Sequence, residues 1–141
     1  MERPMLVTAA VIMKEGKLLI AQRLPDSRFE PGKWEFPGGK VDFGEHPEEC
    51  LVRELEEELG IHVAVISHYS TASHVYDQNG QVRHVVILFY LCRIESGEPE
   101  ILDCQDVKWV SRDELSTFQF VEGDHPIIER VLHDDDLWFR T

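Results

Sequence analysis

Residues 39–61 read GKVDFGEHPEECLVRELEEELGI, and the rest of the chain is organised around them. The second half of this stretch reads as a helix. Pro47 suits a first helical position, where its missing N–H costs nothing. Glu48 and Glu49 stand in the first turn, favourable to the helix dipole. Leu51, Leu55 and Leu59 recur at i, i+4 and i+8 and make one apolar stripe. Gly60 sits where a left-handed C-cap belongs. The spacing predicts a helix over residues 45–60, apolar on one face and acidic on the rest.

On either side of this helix the period shortens to that of strands. Residues 5–13 and 18–23 flank the turn Lys14-Glu15-Gly16-Lys17, a hairpin signature. Residues 24–33, with two prolines and a glycine, read as a loop. Residues 34–36 are short and extended, and Pro37-Gly38-Gly39 is expected to turn. Downstream, residues 61–76 are β-like, residues 77–80 turn, and residues 82–93 form a long apolar run suited to a buried central strand. Residues 96–106 form a polar loop before a short strand at 107–110. Ser111-Arg112-Asp113-Glu114 reads as a capping box. Residues 124–132 read as a further helix, and Leu137-Trp138-Phe139 as an apolar end that docks on the body. Strands mixed with two or three helices predict an α/β (α+β) domain with helices covering a sheet.

Composition narrows the function. The 141 residues carry a formal charge of −13 with 43% hydrophobic and 29% charged side chains, an ordinary globular balance. That length fits one domain. The acidity argues against nucleic acid and anionic membranes, which prefer a basic face. No apolar run is long enough to cross a bilayer, and no secretory leader is expected. Cys50, Cys92 and Cys104 make an odd set without a C-x-x-C pair, which fits a reducing cytoplasm better than a disulfide scaffold. The charge is uneven: residues 1–40 balance at +2 and residues 41–141 at −15.

Much of that excess lies on the helix, where six acids and one base fall between Glu48 and Glu58. Glu54, Glu57 and Glu58 are spaced i, i+3 and i+4, so they share a face. Three carboxylates that close repel one another. Read alone, they are either a solvated acidic face or a set of hard oxygen ligands for Mg²⁺, with Mn²⁺ as a substitute. Glu49 and Arg53 form an i, i+4 pair in the favourable order, and Glu45 is placed to reach Arg53 across the loop.

The full spacing resembles the signature of the Nudix hydrolases, G-x5-E-x7-R-E-U-x-E-E-x-G-U with U aliphatic. Gly39, Glu45, Arg53, Glu54, Leu55, Glu57, Glu58, Gly60 and Ile61 meet every specified position. The resemblance implies an α/β/α sandwich with a mixed sheet between helices, one domain over residues 1–141. It also implies Mg²⁺-dependent hydrolysis of a nucleoside diphosphate linked to another moiety. The substrate would be a small-molecule nucleotide, with no nucleic acid or membrane partner, and the protein a monomer or homodimer. Glu54, Glu57 and Glu58 fall on the family's metal positions with the Gly39 carbonyl nearby; Arg53 and Glu45 fall on positions that orient helix and loop. The proton acceptor in that family lies either in the helix, where Glu57 is the candidate, or on a separate loop. Glu100, Asp103 and Asp106 stand on such a loop, and Asp103 fits best by its spacing from Trp109.

Upstream, residues 33–40, KWEFPGGK, resemble the MutT branch, which hydrolyses nucleoside triphosphates to the monophosphate and pyrophosphate. Arg23 falls where that branch has an arginine facing the nucleotide. Arg23, Arg28, Lys33 and Lys40 offer positive charge to a phosphate chain or base carbonyl. Phe36 either stacks on a base or packs in the core. Residues 123–128, GDHPII, resemble the segment that carries the branch's base-reading residue. Asp124 stands there in place of the prototype's asparagine, or else caps the following helix. A carboxylate only accepts hydrogen bonds unless it is protonated, which opens cytosine and other purine nucleotides beside 8-oxoguanine. Two other functions remain: hydrolysis of a nucleoside diphosphate sugar such as ADP-ribose, and nucleotide binding without cleavage. His68 and His74, six residues apart, share a strand face if the strand is regular, but no cysteine or carboxylate spacing supports a zinc site there.

Overall fold

The computed structural model describes residues 3–139. The elements run β1 (Met5–Lys14), β2 (Lys17–Gln22), β3 (Trp34–Glu35), β4 (Gly38–Lys40), α1 (Pro47–Leu59), β5 (His62–Gln78), β6 (Gln81–Ser96), β7 (Asp106–Val110), α2 (His125–Leu132) and α3 (Asp135–Phe139). Two 3₁₀ turns, Leu115–Thr117 and Glu122–Asp124, precede α2. The strands make a mixed sheet ordered β3-β2-β1-β6-β5, with β4 paired to β1 and β7 to β2. Among the described strands β1 and β6 run parallel and the other pairs antiparallel, and an isolated parallel bridge joins Trp34 to Phe120.

Alternation along β1 explains the layers. Ala9 and Val11 face one core with α2 and α3, where Ile127, Val131, Leu137 and Trp138 are buried. Ala10 and Ile12 face the other, under Leu51, Leu55 and Leu59 of α1. The sheet is thus covered on both faces, an α/β/α sandwich. Each leucine of that stripe is fully buried, which stabilises the fold by about 2 kcal/mol per side chain. Helix α1 ends as its sequence suggests, with Gly60 at φ 68° and its N–H on the Glu56 carbonyl.

β1 and β2 pair only near their shared turn, at Met13↔Leu18 and Lys14↔Lys17. Beyond it they part: β2 pairs with β3 and β7, while the first half of β1 pairs with β4 and β6. The chain from Phe36 to Lys40 fills the gap, with the Ala10 N–H donating to the Pro37 carbonyl at 2.8 Å. Gly38 and Gly39 are therefore strand, not the expected turn, and neither has a positive φ. Space is what demands glycine here: a Cβ on Gly38 would overlap the Thr8 carbonyl oxygen.

The expected capping box is present, the Ser111 N–H donating to Glu114 Oε1 and the Glu114 N–H to Ser111 Oγ, but the turn it opens is 3₁₀. Residues 77–80 tighten to the two-residue turn Asn79-Gly80, both at positive φ (54° and 83°), which joins two strands of 17 and 16 residues. A register shift between His68 and Ser70 breaks the alternation of β5. His68 consequently packs on Tyr90 and His74 on Tyr76, whose rings belong to opposite cores. The two histidines do not share a face. No described helix is long and apolar enough to cross a membrane. All three cysteines are free.

Candidate active site

Where β1 and β2 part, a cleft of about 330 Å³ opens, within the range of ligand pockets. Gly39, Lys40, Glu54 and Glu58 line it, as do Arg23, Glu35, Phe36, Tyr76, Arg83 and Asp124.

At the first end, a Cβ on Gly39 would overlap the Glu54 carboxyl group, so glycine is what lets the helix carboxylate rest on the β4 backbone. Arg53 is the hub of this region. It grips Glu45 through two bonds (Nε–Oε2 2.7 Å, Nη2–Oε1 2.9 Å), and its Nη1 reaches Glu54 at 3.1 Å and Glu57 at 3.2 Å. Asp42 is a weaker partner at 3.4 Å. Glu49 is not among its ion pairs, contrary to the sequence expectation, because the guanidinium is turned toward the loop, where Glu45 offers a bidentate fit. The Arg53 hydrogen bonds hold the Glu45 carboxyl down at about 2.

Glu58 behaves in the opposite way. Burial, then the nearby charges of Glu35 and Glu54, push its carboxyl up to about 9. Burial also raises Glu54, against the pull of Arg53. The direct interaction of the two carboxyls lowers Glu54 and raises Glu58. Among the described residues, no three His, Cys, Asp or Glu side chains are gathered into a ready-made metal site. Glu57 is exposed and turned onto Arg53. The donor chemistry nonetheless fits a hard divalent ion: carboxylate and carbonyl oxygens only, crowded with unbalanced negative charge.

At the second end, Asp124 is 3% exposed. Segment 119–121 runs beside β3, with the Trp34 N–H on the Gln119 carbonyl and the Val121 N–H on the Trp34 carbonyl. This carries Asp124 to the Phe36 N–H, which donates to its Oδ2 at 3.1 Å. Its side chain makes no cap bond to α2. Burial, then the charge of Glu35, raises its pKa well above the ordinary carboxylate value, which favours the protonated form. A neutral carboxyl both donates and accepts. Arg23 donates to the Phe29 carbonyl (3.0 Å) and to Glu35 (3.2 Å). Phe36 is 2% exposed and packed against Phe89 and Phe120, a core residue that also lines the cleft.

Other expected residues lie elsewhere. Arg28 bonds Gln81 and Lys33 pairs with Glu30, and neither lines the cleft. Arg53, Glu57 and Asp103 also lie outside its lining. Asp103 is exposed, but its N–H donates to the Glu58 carbonyl and its charge raises the Glu58 pKa, so it stands beside the helix end. Cys104 is pushed up to about 11 by burial, then by Glu58, and is no nucleophile. Glu35, Tyr76 and Arg83 line the cleft without having been singled out in the sequence. Glu35 lies inside the KWEFPGGK stretch, which is its signal; Tyr76 and Arg83 are paired across the β5–β6 hairpin, and only the long-range pairing of β6 with β1 brings them to the cleft.

A model of the NUDIX domain matches residues 3–131. The chain belongs to the Nudix family. It is 37% identical over 130 residues to the CTP pyrophosphohydrolase of Escherichia coli, covering 89% of this chain and 90% of that one. To the 8-oxo-dGTP diphosphatase of Haemophilus influenzae it is 36% identical over 129 residues, 91% of each chain. Among solved structures, a MutT NUDIX hydrolase from Burkholderia pseudomallei superposes with a TM-score of 0.82 at 32% identity, covering 92% of this chain and 99% of that one. The protein is thus a Nudix hydrolase, and the α/β/α architecture is that of its structural relatives.

Proposed function

We propose that this Nudix hydrolase, one domain over residues 1–141, cleaves a nucleoside triphosphate to the monophosphate and pyrophosphate, with an 8-oxo-dGTP, dGTP, CTP or dCTP-like substrate. The observation that carries this reading is one cleft joining the Gly39–Glu54–Glu58 end to the Arg23–Phe36–Asp124 end. A triphosphate chain and a base need such opposite surroundings. The names of the two sequence relatives support the substrate class, and three free thiols fit a cytoplasmic setting.

Glu54, Glu57, Glu58 and the Gly39 carbonyl would hold Mg²⁺, or Mn²⁺ in its place. When bound, the ion supplies charge neutralisation at phosphate oxygens and acidifies water. Arg53 positions Glu54 and Glu57, and its grip on Glu45 anchors the loop before α1. In the reaction a water oxygen bonds to phosphorus, one phosphoanhydride bond breaks, and the water proton passes to a carboxylate. Glu57 and Asp103 are the two candidates for that proton. Lys40 meets phosphate oxygens, Arg23 meets a base carbonyl or the nearest phosphate, and Phe36 closes the floor under the base. Neutral Asp124 offers one donor and one acceptor to the base edge, as an asparagine would.

The test is a panel of 8-oxo-dGTP, dCTP, CTP and ADP-ribose with Mg²⁺, scored as kcat/KM for each. Pyrophosphate release from a triphosphate is expected. AMP and ribose phosphate as the dominant products would replace this reading with nucleoside diphosphate sugar hydrolysis. Nucleotide binding without turnover on any member would leave a binding domain.

A further inference from the structure

Two buried polar side chains bracket the Gly39–Lys40 peptide. Thr8, in the middle of β1, is fully buried, and its hydroxyl donates to the Gly39 carbonyl at 3.3 Å. Cys50, also fully buried in the first turn of α1, donates its thiol to the Lys40 carbonyl at 3.3 Å and lies 3.7 Å from the Gly39 carbonyl. The hydroxyl and the thiol are themselves 3.4 Å apart. Packing alone asks for neither polar group. Thr8 is followed by Ala9, Ala10 and Val11, and Cys50 by Leu51, all buried apolar residues. A valine and an alanine would fill similar space with no donor to satisfy, whereas a buried polar group costs stability unless it is bonded. Both side chains bond the same short piece of backbone, and the Cys50 sulfur also accepts from Arg53 Nη2 at 3.8 Å.

We propose that Thr8 and Cys50 are positioning residues: a hydroxyl–thiol clamp that fixes the direction of the Gly39 carbonyl as a ligand for the divalent cation, resting on the metal-binding reading above. A carbonyl oxygen has two acceptor sites. Thr8, which also pairs with Gly39 in the β1–β4 ladder, holds this carbonyl from the β1 side through its hydroxyl. A main-chain ligand has no rotamer to adjust, so its aim is set by the tilt of its peptide plane and by the groups that hold that plane. Cys50 lies one helical turn before Glu54 on the same face of α1. Its thiol therefore ties β4 to the helix beside the point where the Glu54 carboxyl rests on the Gly39 backbone. The clamp holds two oxygen donors from two elements in one register, the task of groups that surround metal ligands.

The test is Mn²⁺ binding to the full chain without nucleotide, read by electron paramagnetic resonance, beside thermal unfolding of each variant. Thr8→Val and Cys50→Ala each weaken Mn²⁺ binding by roughly tenfold. Cys50→Ser, whose hydroxyl donates to the same carbonyl, restores most of that loss. The double variant loses less than the product of the single losses, because both groups hold the same stretch of β4 backbone. In turnover, the half-saturating Mg²⁺ concentration rises by more than kcat falls. Wild-type Mn²⁺ affinity in both Thr8→Val and Cys50→Ala overturns the clamp, as does an equal loss in Cys50→Ser and Cys50→Ala. If wild type binds Mn²⁺ and Glu57→Gln does not, an unchanged Thr8→Val sinks the clamp alone. Wild type with no Mn²⁺ binding sinks the metal reading together with it.

Discussion

At one end of the cleft, Gly39, Glu54 and Glu58 come from a single run of twenty-three residues. At the other, Arg23, Phe36, Tyr76 and Asp124 come from separate segments, and the hydrogen bond between Phe36 and Asp124 spans 88 residues. The electrostatics differ as sharply. The first end gathers carboxylates around one exchangeable partner, Arg53, on a helix that borders solvent. The second buries one carboxyl so deeply that its pKa is raised well above the ordinary carboxylate value. Chemistry common to many phosphate substrates can be written in a short local motif. The choice of base depends on the long-range fit of strands, and so differs between proteins that share the motif.

The largest expected effect tests the first end. Glu54→Gln and Glu57→Gln should each lower kcat by roughly 10²–10⁴-fold at saturating Mg²⁺ with the fold intact; near-wild-type pyrophosphate release in both would remove the carboxylate site. Next come the paired glycines. Gly39→Ala should collapse activity with a small change in melting temperature, because its Cβ meets the Glu54 side chain. Gly38→Ala should mainly lower the melting temperature, because its Cβ meets β1 backbone. Equal melting temperatures for the two variants would undo that division of labour.

Asp124→Asn probes the second end. Asp124 is raised in the folded chain, so between the ordinary carboxylate pKa and that raised value the folded state binds more protons than the unfolded one. Stability from this group is therefore full at low pH and falls as pH rises. Asp124→Asn should melt higher than wild type at pH 7, with the gap closing below about pH 4. It should also lose the alkaline decline in kcat/KM that ionisation of Asp124 imposes on wild type. A wild-type melting profile in the variant would show that the carboxyl is not neutral.

The smallest effect concerns Glu45, whose folded pKa is depressed to about 2 by its Arg53 hydrogen bonds. Its contribution is present above the ordinary carboxylate pKa and is lost as pH falls toward 2. Glu45→Gln should flatten the acid limb of the melting curve; an unaltered limb would discount the pair.

The helix, its caps, the hairpin turns and the central strand were legible because each depends on neighbours within a few positions. Gly38-Gly39 misled because glycine signals both a turn and a close approach, and only the crowding against Thr8 and Glu54 decides which. The Glu49–Arg53 pair misled because helix spacing does not reveal a better partner on a loop. At the second end, Arg23 and Asp124 were legible only through family resemblance. Tyr76 and Arg83 were not legible, because the β5–β6 hairpin reaches the cleft only through its long-range pairing with β1.

The parallel pairing of β1 with β6 carries a kinetic consequence. Every pair from Met5↔Val85 to Ile12↔Cys92 is eighty residues apart. Helix α1 can form from local contacts, but closing so long a loop is slow and entropically costly. During synthesis β1 waits, its apolar edge open, until β6 has left the ribosome. The cleft, which needs both strands, is among the last parts of the molecule to assemble, and a chain cut short before β6 has the acidic helix segment but no wall to face it.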